Sequence, residues 1–158
     1  MRMTYRLALA ATALVAGYAG EAPAQTLKVV PYADLRNIDP IWTTATVTNN
    51  HAYMIYDVLF ALDEQFRAQP QMVETVSTSA DGLTYTFKLR AGLKWHDGKP
   101  VTAADCVQSI KRWAQRDDEG KVAMSLTAEV TAVDDRTFTW KFKEKYGALL
   151  DNLAKGAG

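Results

Sequence analysis

The sequence predicts an α+β fold in which antiparallel strands are flanked by helices. Residues 83–90 (LTYTFKLR) alternate apolar and polar side chains, the period of a half-buried strand. Residues 102–114 repeat apolar side chains at helical spacing over three turns, which is typical of an amphipathic helix. Turn residues separate such segments along the 158-residue chain, a length that corresponds to about one domain.

The first 24 residues are predicted to be a secretory signal peptide that lies outside the fold. Arg2 and Arg6 precede a short apolar run at 7–16, and the tripeptide APA at 22–24 is a typical cleavage site. The run is shorter than the roughly 20 residues that span a bilayer. We therefore expect cleavage after Ala24 and a periplasmic location; an uncleaved anchor helix is the alternative.

The charge content argues against nucleic acid as a partner, and the cysteine content argues against an internal disulfide. The chain has 18 basic and 18 acidic residues, without the clustered basic face that nucleic-acid binding requires. Cys106 is the single cysteine, so no internal disulfide is expected. No pattern in the sequence indicates a cofactor.

The segment that follows the signal peptide is expected to contain a strand, a loop and a helix. Residues 26–32 (TLKVVPY) predict a short strand that Pro31 ends, because proline cannot donate to a strand ladder. Residues 48–60 predict a helix with Thr48 as its N-cap, and residues 61–70 a polar connection. The apolar residues on one face of this helix are Ala52, Ile55, Tyr56 and Leu59.

Two hairpins and two further helices are predicted after residue 70. Residues 72–78 pair with the strand at 83–90 across the turn SADG. The helix after Thr102 is capped by that residue and by Asp105, a variant of the capping box. A second hairpin turns at 134–135, and a last helix follows through Leu149, Leu150 and Leu153. The side chains that share one face of its second strand are Phe138, Trp140 and Phe142.

The segment 89–106 (LRAGLKWHDGKPVTAADC) admits two interpretations. As chemistry, His96 would be a base or metal ligand, Asp97 its partner and Cys106 a nucleophile, but neighbours on an extended segment point apart and the spacing is not that of a metal site. As structure, Asp97 and Gly98 form a turn, Trp95 is an aromatic plug and Cys106 is a small apolar residue on a helix. The spacing favours the structural interpretation, with no catalytic or metal-binding residue here.

The residues DGLTYTFKLRAGLKWHDGKPVTAADCVQSIKR resemble the signature segment of family 5 extracytoplasmic solute-binding proteins. These are the oligopeptide, dipeptide and nickel receptors of ABC importers. The segments NIDP, MIYDVLFALDE and AVDDRTFTWKFKEKYGALLDNLA are also similar, so the resemblance covers nearly all of residues 26–154. Cys106 departs from it, standing where the family usually has valine, and the family members are much longer than this chain.

The resemblance implies a fragment of a periplasmic binding protein-like fold of type II, an α/β clamp with two lobes. Residues 25–47 would supply the first strand and loop of lobe one, and residues 48–158 most of its small extra domain; the second lobe would be absent. The implied function is capture of a peptide-like solute for an ABC permease in the cytoplasmic membrane, without catalysis. Lobe interfaces are where such ligands bind.

The same resemblance implies the ligand-binding candidates. Tyr32, Ala33 and Asp34 lie in the loop after the predicted first strand, where Asp34 would pair a ligand amino group or be an ordinary exposed acid. Thr46 and Asn49 lie at the start of the helix near Thr48, where backbone N–H groups are free. For Met124, within 117–126, a core position is the alternative to a ligand contact.

Two other classes of protein remain open at this point. A secreted stand-alone interaction module would be a natural short chain that melts cooperatively. A secreted hydrolase would need a convergent nucleophile or acid pair with a base, and none is visible. If the chain is half of a clamp, it covers only one face of a ligand, and we expect it to bind no peptide by itself.

Overall fold

The computed structural model describes residues 26–155 and divides the chain into two units, Met1–Pro31 and Tyr32–Gly158. The predicted signal peptide and its cleavage site lie outside the described residues. In the first unit, residues 26–31 form neither helix nor strand, and their side chains are exposed. The strand predicted at 26–32 is therefore wrong, because strand backbone groups need partners and this segment has no ladder among residues 26–155.

The second unit contains four helices and six strands within its described part. In chain order they are α1 (Thr46–Ile55), β1 (Phe60–Leu62), β2 (Ala68–Pro70), β3 (Val73–Thr78), β4 (Thr84–Leu89), α2 (Ala103–Trp113), α3 (Asp118–Leu126), β5 (Thr127–Ala132), β6 (Thr137–Phe142) and α4 (Leu149–Ala154). None of these helices, the only ones described in residues 26–155, is long and apolar enough to cross a membrane.

A four-stranded antiparallel sheet in the order β3-β4-β6-β5 forms one layer of the fold. Both predicted hairpins are confirmed, and the two central strands place Phe87 opposite Phe138. The rings of these two residues stack with centroids 4.7 Å apart. Phe138, Trp140 and Phe142 share one buried face as predicted, since alternate residues of a strand point the same way.

Helix α2 contributes much of the other layer and packs against β5 and β6. The predicted cap is confirmed: Thr102 and Asp105 form a complete capping box. Its core-facing residues are Ala103, Cys106, Val107 and Ile110. Together with the aromatic face of the sheet they form one apolar core, the arrangement expected when an amphipathic helix covers one face of an antiparallel sheet.

Helix α1 differs from its predicted bounds at both ends. It begins at Thr46 with Ala45 as N-cap, so the assignment of Thr48 as the cap is wrong. Thr48 is instead 1% exposed, and its hydroxyl donates to the carbonyl of Asn37 at 2.7 Å. The helix ends at Ile55 and not at Phe60, because Phe60 is a buried core residue in β1.

The sequence pattern missed a hairpin and a helix. Residues 61–70 are not a polar connection; they hold most of the β1–β2 hairpin, whose turn is organised by Asp63 Oδ1 accepting from the N–H groups of Gln65 and Arg67, both at 2.9 Å. Helix α3 occupies most of 117–126. Its Gly120 lies so close to α2 that a Cβ there would be 2.8 Å from the Cα of Ala114.

Candidate functional site

A cleft of about 760 Å³ is lined by residues of α1, α2, α4 and the loops beside α1 and α2. Its walls are mainly apolar, with Tyr53 and Tyr56 on the α1 side and Ile110 and Trp113 on the α2 side. Polar groups of Asn49, Asp105, Ser109 and Asn152 also border it. Apolar walls with a few polar groups are typical of sites that take small molecules.

Asn49 is the predicted ligand-binding residue that the structure places in the cleft. It lies in the first turn of α1, whose N-terminal part has no side-chain cap. Its Oδ1 atom is buried and has no hydrogen-bond partner among the described residues. A buried polar atom without a partner is costly, and because this oxygen is covered by the protein, a bound molecule reaches it only after the Asn49 side chain rotates.

The other candidates do not line the cleft. Tyr32, Ala33 and Asp34 are exposed residues of the loop before α1, and Thr46 is the exposed first residue of that helix. Met124 on α3 is half-buried and packs against the apolar core, the alternative that the sequence left open. The structure therefore brings one of the six candidates to the cleft.

Asp39 and Arg112 line the cleft and were not predicted from the sequence. The Arg112 guanidinium forms an ion pair with the Asp39 carboxylate, with one hydrogen bond from Nη1 to Oδ1 of 3.3 Å and a second from Nη2 to Oδ2. This hydrogen bond holds the pKa of Asp39 below its ordinary value and raises that of Arg112. The two residues are 73 positions apart, so only the fold reveals the pair.

The segment 89–106 is a structural joint, as its spacing favours. Gly98 has a φ of +85° and donates its N–H to the carbonyl of Trp95 at 2.9 Å. Asp97 accepts from the N–H of Lys99 at 3.0 Å and pairs with its ammonium group, which lowers the pKa of Asp97. Trp95 is 45% exposed and borders the cleft, so its description as a plug is wrong.

Cys106 borders the same cleft but is a buried core residue of α2. Burial raises the pKa of its thiol to about 11, with a further contribution from the charge of Asp105. The thiolate is the nucleophilic form, and this environment suppresses it. Within residues 26–155, no three His, Cys, Asp or Glu side chains are grouped so that they could hold a metal ion.

Residues 67–157 match the sequence profile of bacterial extracellular solute-binding proteins, family 5, middle part. Among curated relatives, a probable peptide ABC transporter periplasmic-binding protein of Sinorhizobium fredii is 51% identical over 121 residues, which is 77% of this chain and 23% of that protein. A glutathione-binding protein of Escherichia coli is 30% identical over 149 residues, 93% of this chain and 29% of that protein. The chain thus spans about a quarter of the length of these relatives.

Solved structures of binding proteins share the fold. MoaA of A. tumefaciens, in complex with mannopinic acid, has a TM-score of 0.69 at 27% identity, covering 78% of this chain and 26% of that one. OppA of Listeria monocytogenes, bound to peptide, has a TM-score of 0.61 at 25% identity, covering 74% and 26%. The predicted fold class, an α+β part of a periplasmic binding protein-like fold, is confirmed.

Proposed function

Because this chain belongs to family 5 of the bacterial extracellular solute-binding proteins, we propose that it is part of the receptor of an ABC importer for peptides or peptide-like solutes. The observation that carries this proposal is the family match over residues 67–157, a range that includes the capped joint and the whole four-stranded sheet. The peptide class follows the name of the Sinorhizobium fredii relative, which is half identical to this chain.

The chemistry of the cleft supports a peptide-like solute. A peptide presents backbone N–H donors beside side chains of mixed polarity. Asn49 Oδ1 is a buried acceptor without a partner among the described residues, and Tyr53, Tyr56 and Trp113 supply aromatic surface nearby. Aromatic side chains bury much area at small entropic cost and carry polar tips. We infer that Asn49 contacts the solute directly, once a rotation of its side chain brings the amide oxygen into the cleft.

The remaining candidates belong to the same proposal with other roles. Thr46 lies one helical turn before Asn49, close enough for a longer solute to reach both. Tyr32, Ala33 and Asp34 are exposed and free to contact a second lobe or the solute. Met124 supports the core beneath the helices and is the weakest candidate for a direct contact.

We place the receptor outside the cytoplasmic membrane, with an ABC permease as its partner. The periplasmic relatives and the predicted signal peptide support this location. A receptor of this family delivers its solute and catalyses no reaction, and the raised pKa of Cys106 agrees with a structural role for that thiol. We further propose that residues 25–47 and 48–158 are parts of one lobe, and that a second lobe completes the clamp.

A chimeric receptor tests the proposal. The aligned segment of the Sinorhizobium fredii relative, 121 residues long, is replaced by the matching residues of this chain, and titration calorimetry measures binding of mixed dipeptides to hexapeptides. We expect the chimera to bind peptides with an affinity within about tenfold of the unmodified relative. A folded chimera that binds none of the peptides bound by the unmodified relative would refute the proposal.

A further inference from the structure

Helix α1 forms a wall of the cleft although it is attached to the rest of the fold by few contacts. Among the described elements, it has no broad packing interface with any other helix or strand. Only Thr48 and Ala52 are buried in it, while Tyr53, Met54 and Ile55 are largely exposed. The contacts of its flanking loops therefore decide where this wall lies.

The loop before α1 is held at two points, once by α2 and once by the turn that follows α2. The Asp39 carboxylate forms the ion pair with Arg112 near the end of α2. The guanidinium carbon of Arg116 lies 3.9 Å from the ring centroid of Trp42, a distance at which a cation is attracted to the aromatic face. Arg116 lies in the turn directly after α2, which ends at Trp113, so the two contacts come from consecutive parts of the chain.

Hydrogen bonds within the loop connect its Asp39 contact to helix α1. Asn37 Oδ1 accepts from the N–H of Asp39 at 2.8 Å, and Asp39 Oδ1 accepts from the N–H of Ile41 at 3.1 Å. The hydroxyl of Thr48, inside α1, donates to the carbonyl of Asn37 at 2.7 Å. The contact at Asp39 is thereby linked through two hydrogen bonds to the first turns of α1.

The other end of α1 leads into a connection that Gln71 holds through its side chain and that backbone hydrogen bonds from Gln71 and Met72 also hold. Gln71 accepts from the N–H of Val58 at 2.7 Å and donates to the Asp57 carboxylate at 2.8 Å. These bonds fix the connection that leads from α1 to β1. If the first end of the helix is released, this connection remains as the pivot.

We propose that the Asp39–Arg112 ion pair and the Trp42–Arg116 contact form a two-point clasp that holds α1 at its position over the cleft. Arg116 is then a positioning residue for solute binding, because it acts through α1 and Asn49, and Arg112 has the same role in addition to bordering the cleft. This inference deepens the proposed function and rests on it for its meaning, but the clasp is a physical property of the chain itself.

Two exposed contacts of this kind together change an equilibrium by about tenfold. Removing both is expected to convert one position of α1 into a broad range of positions. High salt weakens the ion pair and so acts in the same direction, whereas the Trp42 contact is less sensitive. The clasp thus predicts that the range of α1 positions widens stepwise with each substitution and with rising salt concentration. Loss of folding would not produce such a graded widening.

Spin-label distances in the 158-residue chain test the clasp without any solute. Labels are attached at Met54→Cys and Gln108→Cys, both exposed positions, in a Cys106→Val background that removes the native thiol. Double electron–electron resonance spectroscopy then measures the distribution of distances between the label on α1 and the label on α2. We expect a narrow distribution in this background, a broad one in Arg112→Ala/Arg116→Ala and an intermediate one in either single variant.

Two controls separate the clasp from general damage. Lys111→Ala/Gln115→Ala alters exposed neighbours on the same stretch and should leave the distribution narrow. A reference label pair at Gln108→Cys and Val133→Cys, away from α1, should be unchanged in every variant. An unchanged Met54–Gln108 distribution in the double arginine variant overturns the clasp, and so does equal broadening of the reference pair.

Peptide affinity of the chimera gives a second, separate readout. With the clasp removed, we expect its peptide dissociation constant to rise about tenfold. A chimera that binds no peptide refutes the proposed function but leaves the spin-label result to decide the clasp. A chimera whose peptide affinity is unchanged while α1 is released shows that the clasp does not position the site.

Discussion

Thr102 and Asp105 exchange hydrogen bonds at the start of α2. The N–H of Thr102 donates to Asp105 Oδ2 at 2.8 Å, and the N–H of Asp105 donates to Thr102 Oγ1 at 3.3 Å. This pair satisfies two backbone donors that a helix start leaves free. It fixes the first residue of the helix that carries Cys106 and Ile110 into the core.

Replacing Thr102 with alanine is expected to lower the free energy of unfolding by about 1 kcal/mol, the usual cost of losing an N-cap. Urea unfolding followed by circular dichroism measures the change. Thr44→Ala, the same substitution at an exposed loop position, is the matched control and should change stability by less than about 0.5 kcal/mol. Equal losses in the two variants would contradict a capping role.

The Asp105 carboxylate predicts an acid-dependent part of the stability. Hydrogen bonds from Thr102 lower its pKa from the ordinary value of 3.8. A carboxylate with a lowered pKa stabilises the folded state above its unfolded-state pKa, and this contribution is lost as the pH falls through the folded-state pKa. The stability difference between the wild type and Asp105→Asn should therefore be constant from pH 5 to 7 and shrink below about pH 4; a constant difference down to pH 2 would argue against this.

The thiol of Cys106 is expected to be unreactive in the folded chain. Burial raises its pKa to about 11, so little thiolate is present at pH 8 and access is restricted. Reaction with Ellman's reagent should be at least about 100-fold slower in buffer than in 6 M guanidinium chloride. Cys106→Val adds about one methylene to the core and should cost less than about 3 kcal/mol. Fast labelling of the native thiol would contradict its placement in the core.

Phe66 is a site where a substitution should stabilise the protein. It has a φ of +58° in the β1–β2 turn and is 82% exposed. This conformation is unfavourable for a bulky residue and free of strain for glycine. Relief of this strain, about 1–2 kcal/mol, outweighs the unfolded-state entropy that glycine adds, roughly 0.5–1 kcal/mol. Phe66→Gly should therefore raise the free energy of unfolding by about 0.5–1 kcal/mol, measured by urea unfolding. Gln65→Gly, at the adjacent turn residue, is the control and should not stabilise.

Asn49 and Asn50 form a matched pair for testing the solute site. Asn49 borders the cleft, while its neighbour on α1 is exposed outside it. In the chimeric receptor, Asn49→Ala should raise the peptide dissociation constant about tenfold, since a lost hydrogen bond in a binding site is worth about 1–1.5 kcal/mol. Asn50→Ala should leave it unchanged. Similar effects of both substitutions would remove Asn49 from the site.

The isolated chain provides the complementary measurement. It spans about a quarter of the length of its relatives. All residues that line its cleft belong to the second unit. Titration calorimetry against mixed dipeptides and oligopeptides should therefore show no binding stronger than about 1 mM. Micromolar binding by this chain would show that it forms a complete site and would favour the stand-alone interaction module.

Helices and strands that have a clear local sequence pattern were predicted from the sequence. The strands β4, β5 and β6 alternate apolar and polar residues, and α2 has both the helical period and a cap. Strand β3 has no such alternation and was predicted as the hairpin partner of β4 across the turn SADG. The β1–β2 hairpin was missed because each strand has three residues, too few to show a period. Helix α3 was missed because its nine residues mix polar and apolar types without a clear period and include Gly120, whose close contact with Ala114 belongs to tertiary packing.

The candidate site depended on contacts between distant residues. Asn49 was predicted from its place near a helix start, and its side chain does border the cleft. The pairing of Asp39 with Arg112 leaves no sequence signal, because their spacing of 73 residues has no period. Thr48 shows the limit of a local rule: it has the right residue type for a cap, but its hydroxyl binds Asn37 and the helix begins two residues earlier.

The outer strands β3 and β5 each carry a register shift, one between Val73 and Thr75 and the other between Thr127 and Glu129. Such a bulge bends the strand and interrupts the regular row of backbone donors and acceptors that a foreign strand would need. These shifts make the two outer strands poorer templates for extension by a neighbouring chain than regular strands would be. Self-association through these two edges is thereby disfavoured.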